Sequence, residues 1–212
     1  MLCPLRIDID DLPESPVWLI SKDLISRHGR IDASDDDPLL QAYLKAAIGW
    51  AENETHRTIF QRDHRWVLRE FPVCGRMEIL LPRGKTQSVS SVSYSVNGQT
   101  TVMTGPSAGS PGGTDYQEDL RGDGGGVLMP LRGASWPSVD CDVPAPVTIT
   151  FSAGWASDDV PPEIVHAILF AVEDLYDIRG TGDFNAATLA ASGPRFAARE
   201  ALISGYRLSR WY

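Results

Sequence analysis

The chain has 212 residues, 42% of them hydrophobic, with six tryptophans, which is enough apolar material for one large core or two small ones. A formal net charge of −9 and the lack of any basic run exclude a free nucleic-acid binder, which neutralises phosphates with clustered Lys and Arg. The three cysteines, Cys3, Cys74 and Cys141, are odd in number and far apart, so they indicate free thiols rather than a disulfide framework or a metal site.

In chain order, the opening MLCPLRIDIDDLPESP carries acids where a secretion signal needs positive charge and an apolar centre. No apolar run approaches the ~20 residues of a membrane span, so a soluble protein made in the cytoplasm, with no membrane partner, is expected. Ser21 is placed to cap a short helix over Lys22–His28, with Gly29 as its left-handed end. The acids of RIDASDDD precede the next helix, where the macrodipole favours negative charge. Asp36 or Asp37 serves as cap and Pro38 takes the first helical position. From there Leu40, Tyr43, Leu44, Ala47, Ile48 and Ala51 fall on one helical face. Leu39 and Trp50 lie off that stripe, and contact with another subunit would account for them.

From about Gln61 to Phe151 the period changes from helix to strand. Met77, Ile79 and Leu81 alternate with Glu78 and Leu80, and Val92, Tyr94 and Val96 alternate with serines. Asn97-Gly98 predicts a two-residue hairpin turn that sets Tyr94 opposite Thr101 and Val92 opposite Met103. Val147, Ile149 and Phe151 make a final strand. Between them, Gly105–Gly113 and Gly122–Gly126 are too glycine-rich for regular structure and are expected to be mobile loops. Helical texture then returns. Asp158 or Asp159 precedes Pro161 and Pro162, followed by Ile164, Ile168, Ala171, Val172 and Leu175 on one face. Thr181–Ser192 reads as a small-residue linker, and Pro194 opens a last short helix with Phe196, Ala197, Glu200 and Ile203, closed by Gly205. The tail, Tyr206–Tyr212, is aromatic and basic on an acidic protein.

The expected class is therefore α+β. N-terminal helices and two C-terminal helices (17–60 and 158–205) form a helical body, 61–157 an inserted antiparallel β domain, and 206–212 a separate tail. No internal repeat is present.

Nothing in the chain assembles a catalytic motif. His28, His56, His64 and His166 lack metal-ligand spacing and read as surface or satisfied core residues. Paired acids at Asp8, Asp10 and Asp11, at Asp35–Asp37, and at Asp140 with Asp142 are the type used by glycosidases or for Mg²⁺. They fall instead at loops and helix starts, where acids cap and solubilise. GDGGGVL lacks the lysine and following helix of a phosphate-binding loop, and no G-x-S-x-G elbow occurs. The sequence thus predicts no enzyme activity, no metal and no cofactor. The tail differs, because Tyr206, Arg207, Arg210, Trp211 and Tyr212 are residue types enriched at binding hot spots. They predict a segment that orders on a partner; the alternative is that Trp211 folds back on the core.

One ordered set of features spans about Val17 to Tyr212. A helix ends in a Thr-Gly-Arg-like step (Thr55, His56, Arg57), followed by an aromatic strand, FP and LP turns and a V-x-x-V-x-Y strand. DYQEDL, GGVLMPL, SWP, VTITFSAGW and VPPEIVHAILFAVEDLYDIRG follow in order. The set resembles the head–tail connector, or neck adaptor, proteins of long-tailed bacteriophages and gene transfer agents. Two departures are the long Gly105–Gly113 loop and the segment between Arg179 and Ser192, where an acidic or polar linker is the family pattern. The resemblance implies a non-enzymatic virion protein made in a host bacterium, forming a ring, typically dodecameric, beneath the portal. It also implies a distal face for the next neck or tail-completion protein and a lumen through which DNA passes without specific binding. An acidic channel suits that passage, since it does not grip phosphates.

On that resemblance Tyr206, Arg207, Arg210, Trp211 and Tyr212 form the portal-docking segment, the arginines pairing with portal acids and Trp211 filling an apolar pocket. The ring contacts are expected on the helices starting at Pro38 and Pro162, with Leu39 and Trp50, both on the first, as subunit-interface residues. Two rivals remain. One is a binding module recognising a carbohydrate or host surface through Tyr94, Trp136 or Trp155. The other is a cell-wall hydrolase using Asp140 and Asp142. Neither explains why helices bracket the strands.

Overall fold

The computed structural model describes residues 4–10, 19–30, 37–72, 77–106, 113–140, 142–178 and 186–208. The three cysteines, Asp11, Asp35, Asp36 and residues 107–112 of the glycine-rich loop lie outside them. The fold is α+β, and the chain forms two units. One comprises Gln61–Gly154 with the strand Pro4–Ile9, the other the described residues of Leu12–Phe60 and Trp155–Ser209.

Among the described residues the first unit has eight strands: β1 (Pro4–Ile9), β2 (Arg62–Leu68), β3 (Ile79–Leu80), β4 (Thr86–Val96), β5 (Gln99–Met103), β6 (Tyr116–Asp119), β7 (Val127–Pro130) and β8 (Val147–Ala153). They make two antiparallel sheets, ordered β1-β2-β8-β4-β5 and β3-β7-β6. The registers carry one apolar row across the large sheet, from Ile7 through Trp66, Ile149 and Val92 to Met103. That row belongs to the unit's core, with Phe71, Tyr116, Leu128, Trp136 and Phe151. Strand β1 was not expected from sequence, because its alternation covers only Leu5, Ile7 and Ile9. The hairpin pairs as the turn signal requires, Tyr94 with Thr101 and Val92 with Met103. Asn97 and Gly98 both have positive φ, 54° and 72°.

In the small sheet, Ile79 and Leu81 are buried while Leu80 points outward, as the alternation predicts. Strand β3 is only two residues long, and the Leu81 N–H, donating to the Gly126 carbonyl at 2.7 Å, carries the same register one step further. Here the expectation of a mobile Gly122–Gly126 loop needs correction. Gly125 and Gly126 are buried, and the Gly126 N–H donates to Thr86 Oγ1 at 2.9 Å. A Cβ on Gly125, whose φ is +125°, would collide with the Leu81 carbonyl oxygen. The glycines permit close packing of two chain segments.

The second unit holds α1 (Lys22–Gly29), α2 (Asp37–Thr55), a 3₁₀ turn (Ser157–Asp159), α3 (Pro162–Ile178) and α4 (Ala186–Ser204). Ser21 caps α1, its Oγ accepting from the Leu24 N–H at 3.1 Å. The left-handed residue that closes α1 is Arg30 (φ 50°) rather than Gly29, since the helix runs one residue further. Helix α2 buries Leu40, Leu44, Ala47, Ile48 and Ala51 with Tyr43 half-buried, and α3 buries Ile164, Ile168, Ala171 and Val172. These faces share a core with Ile59, Phe60 and Trp155.

Helix α4 departs most from expectation. Pro194 does not open it; the helix begins at Ala186 and Pro194 lies inside. The small-residue run expected as a linker is alanine-rich, and alanine is the best helix former. An internal proline forgoes one backbone hydrogen bond and costs about 3 kcal/mol, which packing of α4 on α3 offsets. Ile203 is buried, but Phe196 is 51% exposed. Among the described residues no helix is long and apolar enough to cross a membrane.

Candidate functional site

Of the expected docking residues, Tyr206 and Arg207 are described, while Arg210, Trp211 and Tyr212 lie outside the described residues. Helix α2 ends at Thr55, and His56 takes the left-handed position (φ 56°) that favours glycine in such helix ends. The turn aims Arg57, only 8% exposed, so that its Nε donates to the Tyr206 carbonyl at 2.5 Å. The Leu208 N–H then satisfies the otherwise orphaned Thr55 carbonyl at 2.9 Å. Tyr206 packs against the helical core, and its hydroxyl donates to Glu163 Oε2 at 3.0 Å. Backbone N–H donation and this hydroxyl hold Glu163 below the usual carboxylate range. Arg207 meets Glu54 at 2.8 Å and also Glu200, which together push its guanidinium pKa further up. Residues 206–208 are therefore the tied-down root of the tail.

The two expected interface residues differ. Leu39 is 37% exposed in the first turn of α2. Trp50 is half-buried, and the Arg199 guanidinium lies 4.7 Å from its ring centroid. Arg199 in turn pairs with Asp174 at 2.8 Å, and Arg195 reaches Asp177 at 2.6 Å and Asp174 at 3.5 Å. The Asp174 side chain is 8% exposed. Burial pushes its carboxyl above the usual range, and Arg199 and Arg195 pull it partly back. Beside this cluster is a cleft of about 480 Å³, lined by Ala46, Ala47, Trp50, Leu175, Phe196 and Arg199. It is apolar, and its charged groups are already paired. This ion cluster was not anticipated, although its signal is present. Asp174 and Asp177 lie three residues apart on α3, and Arg195 and Arg199 lie four apart on α4, each pair on one helical face.

The aromatic residues of the binding-module rival serve the interior. Trp136 is 7% exposed, stacks on Phe71 with centroids 4.9 Å apart, and donates its Nε1–H to the Met77 carbonyl at 2.7 Å. Tyr94 stands edge-on to Phe71, and Trp155 is 6% exposed beneath Arg57. Tyr94 is half-buried, and Trp136 with Phe71 and Met77 lines a cleft of about 350 Å³.

Asp140, His28, His64 and His166 are likewise engaged in contacts within the fold. Asp140 accepts from the Asn97 N–H at 2.8 Å, the Gly98 N–H at 2.9 Å and Ser95 Oγ–H at 3.0 Å, while Asp142 is exposed. The backbone bonds from Gly98 and Asn97 hold the Asp140 carboxyl below its ordinary range. His64 is 1% exposed and stacks on Phe151, and burial lowers its pKa to about 4. His28 packs edge-on against Phe170 and lies 3.7 Å from Glu173. His166 stands 6.3 Å from His28, ring to ring. Among the described residues no cluster of three or more His, Cys, Asp or Glu could hold a metal ion.

No protein-family model matches the chain, and no curated protein sequence does. Solved structures do share its fold. A chain from the neck of an empty GTA particle, computed with C6 symmetry, is 19% identical with a TM-score of 0.72, and 98% of each chain is covered. A chain from the virion of a native gene transfer agent (GTA) particle is 18% identical with a TM-score of 0.71, again over 98% of each. A chain from the neck of a native GTA particle, computed with C12 symmetry, is 18% identical with a TM-score of 0.63 over 97% of each. The likeness is one of fold, and it runs from end to end of both partners.

Proposed function

We propose that this chain is a structural subunit of a virion neck, a head–tail connector that forms a ring under the portal of a tailed phage or gene transfer agent particle. The observation that carries the reading is the end-to-end fold match to chains of GTA necks, helices and β unit together. Cyclic symmetry in those necks supports a ring. A closed ring needs two different faces on each subunit that fit one another. One of them we place on Leu39 and Trp50 of α2. In this reading the protein is made in the host bacterial cytoplasm and resides in the virion, is not an enzyme and uses no cofactor. DNA passes the lumen without specific binding, which the net charge of −9 favours. A distal face receives the next neck or tail-completion protein.

The tail docks to the portal. Tyr206 and Arg207 secure its root to the helical unit, and Arg210, Trp211 and Tyr212 reach the portal, the arginine pairing with acids and Trp211 entering an apolar pocket.

Leu39→Glu tests the ring contact more cleanly than a change at Trp50, which also carries Arg199. Leu39 lies outside the buried core, so the variant should keep its melting temperature within a few degrees, the scale of ~0.5 kcal/mol surface changes. It should be excluded from assembled necks when particles are purified and probed for the chain. Normal incorporation of Leu39→Glu would remove this residue from the interface.

A further inference from the structure

The structure assigns Asp140 a second role, in which its carboxylate shields Asn97-Gly98 from deamidation, making Asn97 a latent modification site that opens when the carboxylate is lost. This inference is independent of the virion-neck reading. Asn-Gly is the dipeptide least protected sterically, because glycine has no side chain to hinder its own backbone nitrogen from approaching the asparagine amide carbon. In that reaction the Gly98 N–H gives its proton to base and the nitrogen attacks Asn97 Cγ. The new N–Cγ bond closes a succinimide as the Cγ–Nδ2 bond breaks and the nitrogen leaves as ammonia. Water then opens the ring at either carbonyl, leaving aspartate or isoaspartate at position 97.

Exposure alone favours this chemistry here, since Asn97 and Gly98 are exposed at the tip of the β4–β5 hairpin. Yet the proton that must leave is the one Gly98 donates to Asp140 Oδ2 at 2.9 Å. A negative charge at that distance opposes formation of an amide anion, and the hydrogen bond must break first. The carboxylate is itself held in place. Ser95 Oγ–H donates to it at 3.0 Å, the Asn97 N–H at 2.8 Å, and the Asp140 N–H donates to the Ser95 carbonyl at 3.1 Å. Both turn residues sit at positive φ, 54° and 72°, as the two-residue hairpin turn requires. The consequence of losing the guard is structural. Isoaspartate adds a methylene to the backbone inside a two-residue turn whose geometry sets the hairpin register.

The test incubates the full-length protein, its Asp140→Ala and Ser95→Ala variants, and a synthetic peptide of residues 93–102 at mildly alkaline pH. The Asn97 peptide is then followed by mass spectrometry for amide-to-acid conversion and isoaspartate. The folded protein is expected to convert at least ~10-fold more slowly than the peptide, the scale of one charge-assisted hydrogen bond. Asp140→Ala should approach the peptide's rate, while Ser95→Ala, which keeps the Gly98 acceptor, should stay near the parent. A parent protein as fast as the peptide overturns the inference without reference to any variant. So does an Asp140→Ala variant no faster than the parent. Equal acceleration by Ser95→Ala assigns the effect to a loosened hairpin and overturns it too.

Discussion

A chain ending at Leu208 is expected to fold like the full-length protein and to be missing from assembled necks. It keeps the Arg57–Tyr206 and Thr55–Leu208 hydrogen bonds and the packing of Tyr206 on the helical core. It loses Arg210, Trp211 and Tyr212, which carry the proposed portal contact. A chain ending at Gly205 should behave differently. Arg57 is nearly buried and would lose the Tyr206 carbonyl, the Thr55 carbonyl would lose the Leu208 N–H, and the aromatic packing would go. Together these cost about 2–4 kcal/mol, with the exposed Arg207 pairs left out of the sum. Thermal denaturation separates the two truncations, and co-purification with the portal reads the docking. Equal capture of portal by the Leu208 truncation and the full-length chain would exclude the tail from docking.

Replacing Arg199 by methionine is expected to lower the stability of the helical unit measurably. The aliphatic volume is kept, but Asp174 loses its closest cation while its side chain is only 8% exposed. Breaking a buried pair from one side costs up to about 3–5 kcal/mol when the remaining charge is left alone; Arg195 stays 3.5 Å from Asp174, so the expected loss is smaller, about 1–3 kcal/mol. Trp50 and Phe196 also lose the guanidinium that lies 4.7 and 4.9 Å from their ring centroids. The pH dependence has a definite sign. Burial already raises the Asp174 pKa, so the folded state binds its proton more tightly than the unfolded chain does. The penalty for ionised Asp174 is therefore full at neutral pH and fades as pH falls through the raised pKa. Melting curves of both proteins should accordingly converge in acid. A constant gap between them would show that Asp174 is not the source of the loss.

Legibility from sequence followed the range of the interactions. The buried faces of α2 and α3 repeat at helical spacing, so these helices are readable, and Asn97-Gly98 specifies its own turn, so the hairpin register is readable to the residue. The N-terminal strand was not, because three alternating apolar residues carry too little signal. Two local readings failed for physical reasons. Glycines at 125 and 126 serve close backbone approach, and the alanine-rich run before Pro194 favours helix while packing of α4 on α3 offsets the proline. The tail root depends on contacts that sequence cannot pair, since Arg57 meets Tyr206 across 149 positions and Glu54 meets Arg207 across 153. Asp140 reaches its turn from 42 positions beyond Gly98 and looked like half of an acidic pair until the hairpin placed it.

The most direct measurement is electron cryo-microscopy of tailed particles purified from the host that encodes this chain. The expected result is a ring of copies with this fold between the capsid vertex and the tail. A neck resolved at side-chain detail that contains no such copies contradicts the assignment.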